Sequence, residues 1–252
     1  MNRVMDEKVS ALFYRAIEEI ALDEKSGSYQ SLKSIIGVAT GLHNLKVAII
    51  SCHKENNIYS SNVLFRSLIE HYAKFLILMY RYSSENNNDV GKDNLIFARA
   101  HELKSYGNAL KLYKDLVGKD SSMVRYKKAI EKLSDEAASK TSAELKDAFD
   151  QFGYRNVAKY FEANENYFFK NKLEVFAPMM LEYSELSTFV HAGPEANDSG
   201  ADISDAYVNR QLENAFGLAA AVYSMTLLAL SRKHPETFDI HRKIDEIVNS
   251  QT

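Results

Sequence analysis

One cysteine, three prolines and ten glycines in 252 residues exclude several protein classes at once. A single thiol, Cys52, cannot close an intramolecular disulfide or build a cysteine zinc site, and it suits a reducing compartment, so a cytoplasmic location is expected. Cys52 sits in an apolar helical run, where an inert buried thiol is the ordinary outcome. So little proline and glycine argues against a β-sandwich, a barrel or a disordered chain. A net charge of −3 gives no general basic footprint for nucleic acid, although a local basic patch is compatible with it. The charged N-terminus carries no apolar leader core. The most apolar stretch, Ala215–Leu230, is shorter than the roughly 20 residues of a membrane span and is interrupted by Tyr223, Ser224 and Thr226. It reads as a buried core helix, with no membrane partner expected.

Phosphate-binding glycine loops are missing as well. The histidines, at 43, 53, 71, 101, 191, 234 and 241, show no His-x-x-x-His or Glu-x-x-His spacing. No metal and no cofactor is therefore expected.

What the chain does have is helical periodicity, with no convincing alternating strand. Helices are expected at about Arg3–Asp23, Tyr29–Lys54, Ser60–Tyr82, Asn94–Val117, Ser122–Phe149, Tyr154–Glu162, Lys170–His191, Ile203–Ser231 and Glu236–Asn249. Ser60, Ser61 and Asn62 are capping candidates for the third. Pro178 is expected to kink or start the Lys170 helix, and Gly193-Pro194 to stop it. The expected fold is all-α: one domain over 1–252, a bundle of about eight or nine helices. The third, Lys170 and Ile203 helices are expected at its centre. Lys111, Arg125, Lys127, Lys128, Glu131, Lys132, Asp135 and Glu136 mark residues 94–149 as a charged helical hairpin projecting from it. The aromatic run Tyr160, Phe161, Tyr167, Phe168 and Phe169 is expected to pack, and with the apolar surplus it points to a homo-oligomer.

Chemistry is hinted at in two segments only, Asn62–Lys74 and Tyr183–Pro194, which both set polar residues into apolar helical stretches. At 100° per residue, Arg66, Ser67, Glu70, His71, Lys74 and Arg81 fall within an arc of roughly 140°. An ordinary amphipathic helix with an Arg66-Glu70-Lys74 ladder would look the same. However, apolar residues border the stripe so closely that it reads better as facing a cleft. Arg66 and His71 stand about 140° apart, at opposite edges of the stripe. An arginine fork can hold a phosphate, and a histidine can move a proton near neutral pH. Together they suit metal-free RNA cleavage by the 2′-hydroxyl. Tyr183, Ser187 and His191 lie four residues apart on one face. His191 could equally cap its own helix, and Ser187 could bond back to its own turn. The two stripes are expected to face each other, with His71 at the edge.

Through Arg66-x-x-x-Glu70 and Tyr183-x-x-x-Ser187-x-x-x-His191 the chain resembles the HEPN superfamily (higher eukaryote and prokaryote nucleotide-binding domain). It is most similar there to helical bacterial members of unknown function. That resemblance implies a helical bundle, dimerisation and a metal-independent ribonuclease. The setting it implies is a toxin–antitoxin or anti-phage defence system, with RNA as substrate and an antitoxin or other protein as partner. Arg66, His71 and His191 would be catalytic, and Ser67, Glu70, Tyr183 and Ser187 supporting. The alternative is a non-catalytic helical protein that binds a small ligand or a partner protein through the Arg66/Glu70/His191 cluster.

Overall fold

A computed structural model describes residues 2–85, 88–117, 124–163, 170–190 and 204–250. Every regular element among them is helical. In chain order they are α1 (Arg3–Glu19), α2 (Tyr29–Lys54), α3 (Ile58–Glu85), α4 (Asp89–Lys92), a π turn (Asp93–Phe97) and α5 (Ala98–Val117). There follow α6 (Val124–Glu131), α7 (Asp135–Ser139), α8 (Ser142–Asp150), α9 (Tyr154–Ala163), α10 (Lys170–Val190), α11 (Asp205–Ser231) and α12 (Glu236–Asn249).

The centre is α2, α3 and α11. α2 and α3 fold back on each other through a three-residue turn. Asn56 takes a left-handed φ of 52°, a conformation asparagine tolerates better than most residues. The side chain of Asn57 then accepts the Ser60 amide at 3.1 Å and caps α3. The expected capping residues Ser60, Ser61 and Asn62 lie inside α3 instead, with Ser61 and Asn62 buried in the bundle interior. α3 buries Phe65, Leu68, Ile69, Tyr72 and Phe75 through Leu78, and α11 is buried almost all round from Ala215 to Leu230. α1 and α12 cover α11, while α9 and α10 lie on α3. By length and composition α2 and α11 could each cross a membrane, and the apolar window of α11 is 61% buried inside the bundle.

Two further expectations need correction. α10 is an outer helix: Met179 and Leu186 are its buried side chains among those described, while Leu181 is 71% exposed. α2 takes the central place instead. Pro178 does not start α10 but lies inside it, the placement in which a proline kinks a helix. The expected second helix of the hairpin is three short ones. Ser134 caps α7 by accepting the Ala137 amide, and Thr141 with Glu144 forms a capping box that starts α8. α6 to α8 close with the π turn and α5 around a second small core of Phe97, Ala100, Ile130, Ala137, Leu145 and Ala148. Beyond Gly107 no described side chain of α5 is buried.

Candidate functional site

Four residues of the two polar stripes meet where α10 crosses α3. Arg66 donates from Nε to Ser187 Oγ at 3.1 Å and from Nη2 to Tyr183 OH at 2.6 Å. The same Nη2 lies 3.2 Å from Glu70 Oε1. Tyr183 OH donates to that carboxylate oxygen at 2.8 Å, and Ser187 Oγ donates to the Tyr183 carbonyl at 2.8 Å. The guanidinium carbon also stands 4.6 Å from the Tyr183 ring centre, a cation–π contact. Tyr154, at the start of α9, stacks on Tyr183, with ring centres 4.1 Å apart.

Local sequence explains the meeting. Residues four apart share a helix face, so Arg66 and Glu70 present one edge of α3 while Tyr183 and Ser187 present one edge of α10. The Arg66 side chain is 17% exposed and that of Glu70 38%, so the seam is half-buried and opens on the Glu70 side. Burial and the hydrogen bond to Glu70 push the Tyr183 phenol above its ordinary pKa, so it stays a donor.

The other candidates fall elsewhere. Ser67 Oγ bonds back to the Val63 carbonyl at 3.2 Å. His71 donates from Nδ1 to the Ser67 carbonyl at 2.9 Å, since a carbonyl can only accept, and this leaves Nε2 as the acceptor when the ring is neutral. Its ring lies against Gly41 of α2, where an added Cβ would sit 3.4 Å from Cδ2 and 3.6 Å from Nε2. Arg66 thus faces α10 while His71 faces α2. His191 lies outside the described residues, as do Tyr167, Phe168 and Phe169 of the aromatic run. Phe161 is core and sits edge-on to Tyr80. Among the described residues no group of three or more His, Cys, Asp or Glu is placed to hold a metal.

Sequence reasoning missed two interior polar networks. Lys46 is 1% exposed and reaches both oxygens of Asp6, at 2.6 and 2.8 Å, and Ser10 Oγ at 2.8 Å. Beside it, His43 Nδ1 and Tyr223 OH are 2.5 Å apart, and Phe13 stacks on Tyr223. In the second network, Gln211 bridges His53 and Ser61 through Oε1 and donates from Nε2 to Asn62 Oδ1, which also accepts from Tyr207 OH. The available signals were a lone lysine in Leu45-Lys46-Val47-Ala48-Ile49-Ile50 and a serine–asparagine pair inside an apolar helix.

Both histidines make the fold acid-sensitive. Burial, then the nearby Lys46 charge, holds the His43 pKa down to about 4. Burial also lowers that of His53, whose Nδ1 is enclosed without a hydrogen bond to a described residue. The folded pKa values lie below the ordinary 6.5, so the unfolded chain binds more protons across this window. Their contribution is complete above pH 6.5 and is lost as the pH falls toward 4. Melting temperatures should drop over that range, and His43→Gln should flatten the slope. A wild-type profile flat from pH 7 to 4 would rule this out.

Comparison of the chain with protein-family models, curated proteins and solved structures finds no match.

Proposed function

We propose that this protein binds a phosphate-bearing ligand, RNA being the class considered first, at the seam between α3 and α10. One observation carries the reading. Arg66 is held in a half-buried site by Ser187 and Tyr183, yet its Nη1 donates to no described residue. Glu70, its ion-pair partner, is partly exposed and can swing away. A phosphate arriving there would find an oriented arginine edge and a phenolic donor, with Glu70 as the group to displace.

Binding is favoured over cleavage because the two residues suited to phosphate holding and proton transfer face different helices. Arg66 addresses α10, and His71 is tied to its own backbone and packed on Gly41. A metal-independent ribonuclease acting in a defence or toxin–antitoxin setting is the second reading. It is favoured by the position of His191 in sequence, four residues after Ser187 on the stripe that meets Arg66. On either reading the same surface is proposed to work in a homo-oligomer.

Incubation of the purified protein with mixed RNAs in EDTA separates these readings. Retention of RNA without cleavage is expected. Cleavage that survives in His71→Ala and disappears in His191→Ala would replace binding by the ribonuclease reading. Neither retention nor cleavage would overturn both.

A further inference from the structure

We propose that the outer half of α5, residues 106–116, pairs antiparallel with the same half of a second copy of this chain. Tyr106, Leu112, Tyr113 and Leu116 are 60%, 60%, 52% and 77% exposed. Together they leave roughly 500 Å² of mostly apolar surface in water, as much as the largest patch of a typical monomer. The expected homo-oligomer is thereby placed on α5 rather than on the aromatic run at 160–169.

Along α5 the apolar side changes. Ala100 is buried in the small core with Phe97, Ile130 and Leu145, and Gly107, seven residues on, is buried on the same side of the helix. At 100° per residue, Tyr106, Ala109, Tyr113 and Leu116 centre about 150° away from that side. Ala109 is exposed as well. These four follow the i, i+3, i+7, i+10 spacing of a coiled-coil seam. Lys111 and Asp115, both exposed, lie across the helix from the seam. The outer half of α5 is thus amphipathic with its apolar side turned from its own core.

What fits this seam best is the seam itself. When two copies run antiparallel about a two-fold axis near residue 111, Tyr106 lies opposite Leu116 of the other copy, and Ala109 lies opposite Tyr113. Each tyrosine ring then meets a smaller side chain, and its hydroxyl can reach water at the rim. A parallel pair would set tyrosine against tyrosine and alanine against alanine, a bulge beside a gap. Lys111 and Asp115 stay outside the seam, so no charge is buried. The pair covers about 1,000 Å² in all, the lower bound of a specific interface, which suits a micromolar dimer. This surface is separate from the Arg66 seam, and the inference does not rest on that site.

Sedimentation velocity of the full chain, from about 1 to 100 μM, should show a monomer giving way to a dimer. Leu116→Glu should raise the dimer dissociation constant about a hundredfold, because each dimer loses two buried leucines at about tenfold each. Leu116 already lies in water in the single chain, so the melting temperature of dilute protein should not move. Orientation is read from spin labels on single cysteines in a Cys52→Ala background. At 1.5 Å per residue, antiparallel pairing separates labels at Arg99→Cys by about 36 Å along the axis and those at Lys111→Cys by almost nothing. Equal label distances at the two positions mean a parallel pair and overturn the proposal. A dimer that Leu116→Glu leaves intact places the interface elsewhere and also overturns it. So does a chain that stays monomeric throughout, which leaves the face to a different protein.

Discussion

Lys46→Met is expected to lower the stability of this protein by about 3–5 kcal/mol, the usual cost of leaving one member of a buried ion pair alone. Asp6 would keep its carboxylate in an interior where it is 3% exposed, with Ser10 as its remaining polar neighbour in the trio. It must then protonate or drag α1 open toward water. Burial pushes the Asp6 carboxyl up and the Lys46 ammonium down, and each opposes the shift of the other by its charge. The pair therefore ties α1 to α2 at a cost that only complete pairing offsets. The double variant Asp6→Leu with Lys46→Met should recover most of the loss, because apolar residues of similar size replace buried pairs at little cost. Urea unfolding of the wild type, both single variants and the double gives the coupling. If Lys46→Met costs less than about 1 kcal/mol, the pair is solvated like a surface bridge and the reading of a dry interior fails.

Gly91→Ala should be comparably damaging for a steric reason. A Cβ at position 91 would stand 2.1 Å from the Gln30 carbonyl carbon and 2.2 Å from the Ser31 nitrogen. Both are backbone atoms of the first turn of α2 and cannot rotate away, so α4 must lift off. The contact matters because Asn88, just before α4, accepts the Gln30 amide at 2.8 Å and donates to the Ser26 carbonyl at 3.3 Å. It satisfies an amide that the start of α2 cannot pair within its own helix. Gly91→Ala is expected to cost about 3 kcal/mol, the upper end of overpacking. Asn88→Ala should cost about 1 kcal/mol, the scale of a lost cap. Gly37 and Gly217, with nothing near their added Cβ, should gain roughly 0.5–1 kcal/mol as alanines in helices. Equal melting temperatures for Gly91→Ala and Gly37→Ala would mean that α4 does not seat on α2.

Helical periodicity made most of the fold legible. α2 and α12 have the expected ends, and α1, α3 and α11 differ by a few residues. The errors have separate causes. The charge pattern of residues 122–149 reads as one helix, but Ser134 and Thr141-x-x-Glu144 are local start signals that divide it. The apolar composition of α10 points to the centre, yet composition cannot say which neighbour covers a face, and Leu181 is left in solvent. At the site, four-residue spacing correctly brought Arg66 and Glu70 onto Tyr183 and Ser187. His71 could not be placed that way, because 140° of rotation leaves open which neighbouring helix it meets. Asp6 and Lys46 are 40 residues apart on separate helices, and no spacing rule connects them.

The claim that Arg66 recognises a phosphate group is tested most directly by one pair of variants with opposite expected signs. Fluorescence anisotropy of a short labelled single-stranded RNA, in EDTA at fixed salt, should be recorded for the wild type, Arg66→Lys and Glu70→Gln. Arg66→Lys keeps the charge but loses the planar fork, and should weaken binding about tenfold, the equivalent of one charge-assisted hydrogen bond. Glu70→Gln keeps an acceptor for Tyr183 while removing the carboxylate that competes for Arg66, and should tighten binding. A seam that serves only to seat α10 on α3 gives the contrary result: both variants lose stability, and RNA affinity is absent or unchanged in all three proteins.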